Sequence, residues 1–265
     1  PDGADFCLYA LQAAIPLLTR ALEVAQQGNH TVYVNFARAG RARANLMLGN
    51  HDAALADAQA IPLEFVYHAK FSEQGTANSL YTLHHYAENK AAGLDERRWA
   101  QVDTMAGYLV DRWSGELDPR VRITHRVGNR LGVDGRTKHY SQEKYPARNA
   151  PIAMTHGREM RLIEAEVYWA RGDYDNAIAR MNAVRGTVGL PPLVNPGTRE
   201  GVQEMLLEER FTTFYLEGQR ANDLYRFNLF PQVIGRGFNT KFNLPAAEAQ
   251  NNASLERIRS CPAIS

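Results

Sequence analysis

The heptapeptide Gly172-Asp173-Tyr174-Asp175-Asn176-Ala177-Ile178 decides the fold. It lies between two helical runs and has an earlier counterpart, Gly49-Asn50-His51-Asp52-Ala53-Ala54-Leu55. Each position has a task in a helical hairpin. Gly ends the first helix in a left-handed conformation. Asp or Asn caps the next helix. Ala sits where the two helices cross closely, and Ile or Leu packs in the seam. This is the turn signature of tetratricopeptide-like helix pairs. Two copies far apart argue for pairs with a large insertion between them rather than a regular array. Such pairs bury their faces only by stacking on neighbours.

Helical spacing extends outward from both turns. Apolar residues recur at Leu8, Leu11, Ile15, Leu18, Leu22 and Val24, which predicts a helix over 8–26. Pro16 lies inside that run and predicts a helix start or a kink there. An Ala-rich helix follows over 31–48, and a shorter one over 51–60 ends before Pro62. Residues 63–72, LEFVYHAKFS, read as an extended segment or short strand. Polar residues dominate 73–93, which reads as a long loop. A stripe of Trp99, Val102, Met105, Leu109 and Val110 predicts a helix over 94–113. Residues 114–155 read as loop with a short hairpin. Helix returns over 156–170, 174–184 and 198–216, with a break at Gly218 and resumption to Tyr225. The tail from Phe230 is irregular. The expected fold is therefore mostly α: stacked tetratricopeptide-like helix pairs with long irregular loops and a short hairpin. The chain divides into a helix-pair segment (1–62), a loop-rich insertion with one helix (63–155) and a C-terminal helical segment (156–265), together one compact domain.

Bulk composition narrows the function. The 265 residues are 45% hydrophobic and 22% charged, with 30 Lys plus Arg against 29 Asp plus Glu. A net charge of +1 gives no electrostatic footprint for nucleic acid. No apolar stretch reaches the length of a membrane-spanning helix. No signal peptide is visible, and any export signal or lipid anchor is expected to lie upstream of Pro1. Cys7 and Cys261 lie near opposite ends. Either they form one disulfide, worth roughly 4–5 kcal/mol in the chain-entropy model for so long a loop, or they remain two buried thiols.

Several motifs in the second half resemble the SusD/RagB family of nutrient-binding outer-membrane lipoproteins. Residues 158–166, REMRLIEAE, look like the family's helix before the helical turn. Residues 177–192, AIARMNAVRGTVGLPP, are similar to its stretch with Asn182, Arg185 and Gly189 in place. Glu209-Arg210, Phe214, Glu217-Gly218-Gln219-Arg220 and Asp223-Leu224 match its E-R … F-E-G-x-R-x-x-D-L helix. Leu117-Asp118-Pro119-Arg120 resembles its D-P-R loop, and residues 241–251 a weakened form of its closing segment. The chain thus looks like the later portion of a family member, or a shortened one. Among Glu209, Arg210, Glu217, Arg220 and Asp223 the spacing puts several on one helix face. They are expected to form a structural carboxylate–guanidinium network that fixes the Gly218 break.

No catalytic or metal constellation stands out. Glu164 with Glu166 and Glu208 with Glu209 diverge on a helix and do not form acid/base pairs. His84-His85, with His68 and Glu88, lack the spacing of a metal site such as H-E-x-x-H. Asp173-x-Asp175-Asn176 reads as a helix cap rather than a calcium loop. Without a phosphate-cradling loop or a nucleophile motif, the reading is of a non-enzyme with no cofactor and no resident metal. The resemblance implies glycans or other oligomeric nutrients, held by aromatic faces on loops. Tyr81, Tyr86, Tyr140 and Tyr145, with Trp113 at a helix end, are the candidates; Trp99 and Trp169 sit on helical stripes and are expected in the core. The partner it implies is a TonB-dependent outer-membrane transporter, on the extracytoplasmic side. The alternative is a structural or interaction subunit of another extracytoplasmic membrane complex.

Overall fold

The computed structural model describes residues 3–86, 101–125, 131, 136 and 140–229. Among them are eight helices and six short strands, so the mostly helical expectation is met. Contacts divide the chain into two compact units, one of Pro1–Ile61 with Gln219–Ser265 and the other of Pro62–Gly218.

The first unit is built on α1 (Gly3–Gln27), α2 (Thr31–Met47) and α3 (His51–Gln59), with α8 (Arg220–Arg226) from the far end of the chain. α1 packs on α2, and α2 on α3. Small residues make this possible: Ala39, Ala42, Ala54 and Ala58 are completely buried. A Cβ at Gly40 would stand 3.0 Å from Leu18 Cδ2, so the α1–α2 crossing is close. Arg41 pins all three helices. Its Nε and Nη2 donate to the two Asp57 carboxylate oxygens at 2.7 and 2.8 Å, and its Nη1 donates to Thr19 Oγ1 at 2.9 Å. Helix α1 begins at Gly3 and continues through Pro16, so of the start or kink expected at the proline, the start is excluded. Asn29, at φ 55°, ends it: the His30 N–H reaches Ala25 O and the Asn29 N–H reaches Gln26 O.

The second unit carries β1 (Val66–Ala69), α4 (Ser79–Tyr86), β2 (Val102–Asp103), β3 (Tyr108–Val110), β4 (Leu117–His125), β5 (Tyr140–Gln142), β6 (Ile152–His156), α5 (Gly157–Ala170), α6 (Tyr174–Gly186) and α7 (Arg199–Thr213). β1 pairs antiparallel with β6, and β2-β3-β4-β5 form a second antiparallel sheet. Helices α5 and α6 make the hairpin, and α7 packs on both. Leu109, Val121 and Ile123 of the larger sheet meet Phe211 of α7 and Tyr215 just beyond it. Gly157 starts α5 where the chain passes Pro62 and Leu63; any Cβ there would strike their carbonyl oxygens. The Gly157 N–H meanwhile donates to Phe65 O at 2.7 Å.

Three readings are corrected here. The helix expected over 94–113 is, in its described part, the β2–β3 hairpin. Gly107 takes φ 77° in the connection, and Asp103 Oδ1 accepts from the Met105 and Ala106 N–H groups. These local bonds win over a helical stripe whose Met105 is 98% exposed. The loop expected over 73–93 contains α4, because buried Asn78 caps it, accepting from the Leu80 and Tyr81 N–H groups at 2.9 and 3.2 Å. The D-P-R segment lies on β4 rather than in a loop. The possible Cys7–Cys261 disulfide and the reading of the tail from Phe230 lie outside the described residues.

Candidate functional site

Burying a carboxylate requires cations around it, and burying an arginine requires acceptors on every edge of its fork. The second unit meets both needs in one lattice. Glu209 of α7 is fully buried and faces two arginines. Arg120 Nη1 of β4 donates to its Oε2 at 2.6 Å, and Arg185 Nη1 of α6 donates to its Oε1 at 2.7 Å. Arg185 then grips Asp111, just after β3, with Nη1 and Nη2 at 2.9 Å each, and its Nε donates to Pro191 O at 2.7 Å. Arg120 grips Asp118 on its own strand through Nε and Nη2, and also reaches Thr213 Oγ1 at 3.1 Å. The shifted register between β3 and β4 lets consecutive residues Arg120 and Val121 both be buried beside α7.

The electrostatics follow from the pairing. Burial opposes ionisation of Asp111, but hydrogen bonds from Arg185 and Ser114 outweigh it and lower the carboxyl from 3.8 to about 2. Burial likewise opposes the charge on Arg120 and on Arg185. Their bound carboxylates prevail and raise both above the ordinary guanidinium range.

A second cluster clamps the turn after α7. Lys144 Nζ donates to Tyr215 O at 2.6 Å and to Glu217 Oε1 at 2.7 Å. The other Glu217 oxygen meets His156 Nε2 at 3.0 Å. His156 Nδ1 accepts from the Glu159 N–H at 2.9 Å and so caps α5. With Nδ1 an acceptor, the neutral ring carries its proton on Nε2 and donates to Glu217. The turn needs this support, because Leu216 is left-handed at φ 58° and Gly218 at φ 77°. Burial lowers the Lys144 ammonium despite Glu217. Burial would raise the Glu217 carboxyl, but His156 and Lys144 together hold it below the usual range.

Above this lattice opens a cavity of about 360 Å³ whose lining includes Tyr108, Arg120, Arg122, Glu143, Lys144 and Arg158. The volume suits one small ligand or one sugar unit.

The SusD family model matches residues 84–258. The chain belongs to the SusD family. Two solved structures share its fold. A SusD superfamily protein from Bacteroides vulgatus is 18% identical at a TM-score of 0.52, covering 76% of this chain and 53% of its own. A SusD-like protein from Bacteroides fragilis is 15% identical at 0.55, covering 75% and 55%. The chain thus spans about half the length of these two proteins. None of the curated proteins matches it.

In this SusD family chain the motif residues carry scaffold bonds. Asn182 fixes the segment after α6 with a reciprocal pair: its Nδ2 donates to Leu193 O at 3.0 Å and the Leu193 N–H donates to its Oδ1 at 2.7 Å. The expected network residues are divided between two helices and the turn that joins them. Glu209 and Arg210 lie on α7, Glu217 in the turn, and Arg220 and Asp223 on α8, because the left-handed Leu216 and Gly218 divide the helix. Arg210 pairs with Glu166 at 3.5 Å and stacks over Phe214; Asp223 pairs with Arg226 at 2.9 Å.

The described aromatic candidates differ in burial. Tyr145 is 3% exposed, with its hydroxyl toward Leu216 O and the Lys144 ammonium 5.9 Å over its ring. Its faces are not open to a sugar, and burial raises its phenol strongly. Tyr140 is half-buried against the Leu109 cluster. Tyr81 is half-buried on α4. Trp113 is half-buried with Arg112 stacked 5.3 Å from its centroid. The Tyr86 side chain and Trp99 lie outside what is described. Trp169, expected in the core, is only half-buried. It stacks on Arg199 at 4.0 Å, and its Nε1 donates to Arg199 O. Sequence reasoning missed Asp111, Lys144 and the cavity residues Tyr108 and Arg122. Their partners are brought together only by the sheet.

Proposed function

We propose that this chain is the binding part of an extracytoplasmic protein that captures glycans or other oligomeric nutrients and passes them to a TonB-dependent outer-membrane transporter. The observation that carries the reading is the SusD family match over residues 84–258 on a scaffold of helix pairs. Membrane association comes through an upstream anchor or the partner. No described helix is long and apolar enough to cross a membrane. Nothing in the lattice calls for catalysis, since its carboxylates are paired with arginines in fixed geometry.

The test is a calorimetric screen of the full-length protein against a panel of oligosaccharides, joined to co-purification from native membranes. Saturable binding and a transporter in the purified complex are the expected results. The absence of both would overturn the reading. The burial of Tyr145 favours a second reading, a structural subunit of another extracytoplasmic membrane complex. Under it, a stoichiometric assembly without a transporter co-purifies and no saccharide binds.

A further inference from the structure

The cavity over the lattice is lined by four cations and one acid, and their bonds separate them into two groups. Arg120 is saturated by Asp118, Glu209 and Thr213. Lys144 is held by Glu217 and Tyr215 O. Glu143 accepts the Thr124 hydroxyl. Arg158, at the N-terminal turn of α5, is half-buried and forms no hydrogen bond or ion pair with any described residue. Arg122, which lines the same cavity from β4, has among the described side chains only the face of Tyr108, 5.6 Å from its guanidinium. Two guanidinium groups therefore line one concave space with donors unspent among the described residues.

A half-buried guanidinium without acceptors is costly, and an oxyanion is the group its planar fork matches. Burial, with Arg120 nearby, presses Arg158 below the usual guanidinium range, against the pull of Glu217.

We propose that this cavity is an oxyanion subsite, in which Arg158 and Arg122 take the carboxylate of a uronic acid or the sulfate ester of an acidic glycan. The volume of about 360 Å³ leaves room for the sugar unit that bears the charge. The saccharide as carrier rests on the glycan-capture reading above; the oxyanion chemistry does not. Losing a bond to a charged group costs about 1.5–3 kcal/mol, so removing Arg158 should weaken binding by roughly tenfold or more.

The experiment is calorimetric titration of the full-length protein with an oligouronate, a sulfated oligosaccharide, a neutral oligosaccharide of the same length, and inorganic sulfate. Arg158→Met, Arg158→Lys and Arg122→Gln are compared with the parent, each checked by circular dichroism. The proposal expects acidic ligands to bind more tightly than the neutral one, with affinity falling as salt rises. Arg158→Met should lose at least tenfold, and Arg158→Lys should recover only part. The preferred acidic oligosaccharide distinguishes carboxylate from sulfate ester. If Arg158→Met does not fold, Arg122→Gln at the exposed edge carries the test. Equal binding of neutral and acidic saccharides, unchanged in the variants, would overturn the subsite and leave glycan capture standing. Binding of inorganic sulfate alone, lost in Arg158→Met, would keep the oxyanion chemistry and overturn the glycan as its carrier. No binding of any probe would overturn both.

Discussion

Two turns with the same sequence pattern sit in two different surroundings. At Gly49 and at Gly172 the glycine is left-handed, at φ 74° and 78°. The same pair of backbone bonds closes each helix: the Asn50 N–H to Asn45 O with Gly49 to Leu46 O, and the Asp173 N–H to Tyr168 O with Gly172 to Trp169 O. Ala54 and Ala177 are both fully buried. What differs is the charge each hairpin carries. In the first unit Arg41 holds Asp57, with side chains 22% and 9% exposed. In the second, Arg185 and Glu209 are sealed at 1% and 0%. The seven-residue pattern thus sets the hairpin, and the long insertion between its copies sets how deeply the ions beside it are buried. An ion pair near water is replaceable; a sealed one becomes a liability once one member is removed.

The largest expected effect breaks that contrast directly. Glu209→Ala takes from two buried arginines the carboxylate they share, leaving each with one, and should cost about 3 kcal/mol. Asp57→Ala leaves Arg41 near solvent with Thr19 still bound and should cost about 1 kcal/mol. Urea unfolding of both variants checks the gap, and equal losses would sink the distinction.

Next are the glycines. A Cβ at Gly157 meets backbone carbonyls that cannot yield, so Gly157→Ala should cost about 3 kcal/mol or lower the soluble yield. A Cβ at Gly40 meets only the flexible end of Leu18. There the gain of about 1 kcal/mol from replacing a helical glycine offsets the crowding, so Gly40→Ala should be near neutral. Melting temperatures of the two variants decide it.

Acid comes third. Asp111 has its carboxyl lowered from 3.8 to about 2, so it binds fewer protons folded than unfolded at intermediate pH. Its contribution, on the order of 2 kcal/mol, is present above pH 3.8 and is lost as pH falls toward 2. Denaturation midpoints measured from pH 6 down to 2 should drop in the parent. They should drop less in Asp111→Asn, which starts lower.

The smallest effect concerns the caps. Asp173 accepts from the Asn176 N–H, whereas Asn50 turns its side chain to Asn45. Asp173→Ala should cost about 1 kcal/mol and Asn50→Ala only a few tenths. Thermal melts resolve the two.

The helix pairs were legible because each turn residue acts within a few positions of itself. The predicted helices over 31–48, 51–60 and 174–184 fall within two residues of α2, α3 and α6. The Asp103–Gly107 turn was legible in principle as well, but Val102, Met105 and Leu109 matched a helical stripe by spacing alone. The lattice was not legible. Asp111 and Arg185 are 74 residues apart, and their pairing depends on where β3 lies against α6. Glu209 and Arg185 appeared as motif letters without partners. The burial of Tyr145 was hidden for a related cause: it looks like a loop residue, yet Lys144 and Leu216 hold it inward.

One dipeptide has a further consequence. The carbonyls of Pro62 and Leu63 press on Gly157, and Glu217 bonds His156, so the first and last residues of the second unit meet at the same place. A stretch whose two ends are neighbours is an inserted module. A circular permutant of residues 62–218 opened elsewhere can therefore join Gly218 to Pro62 with a short linker.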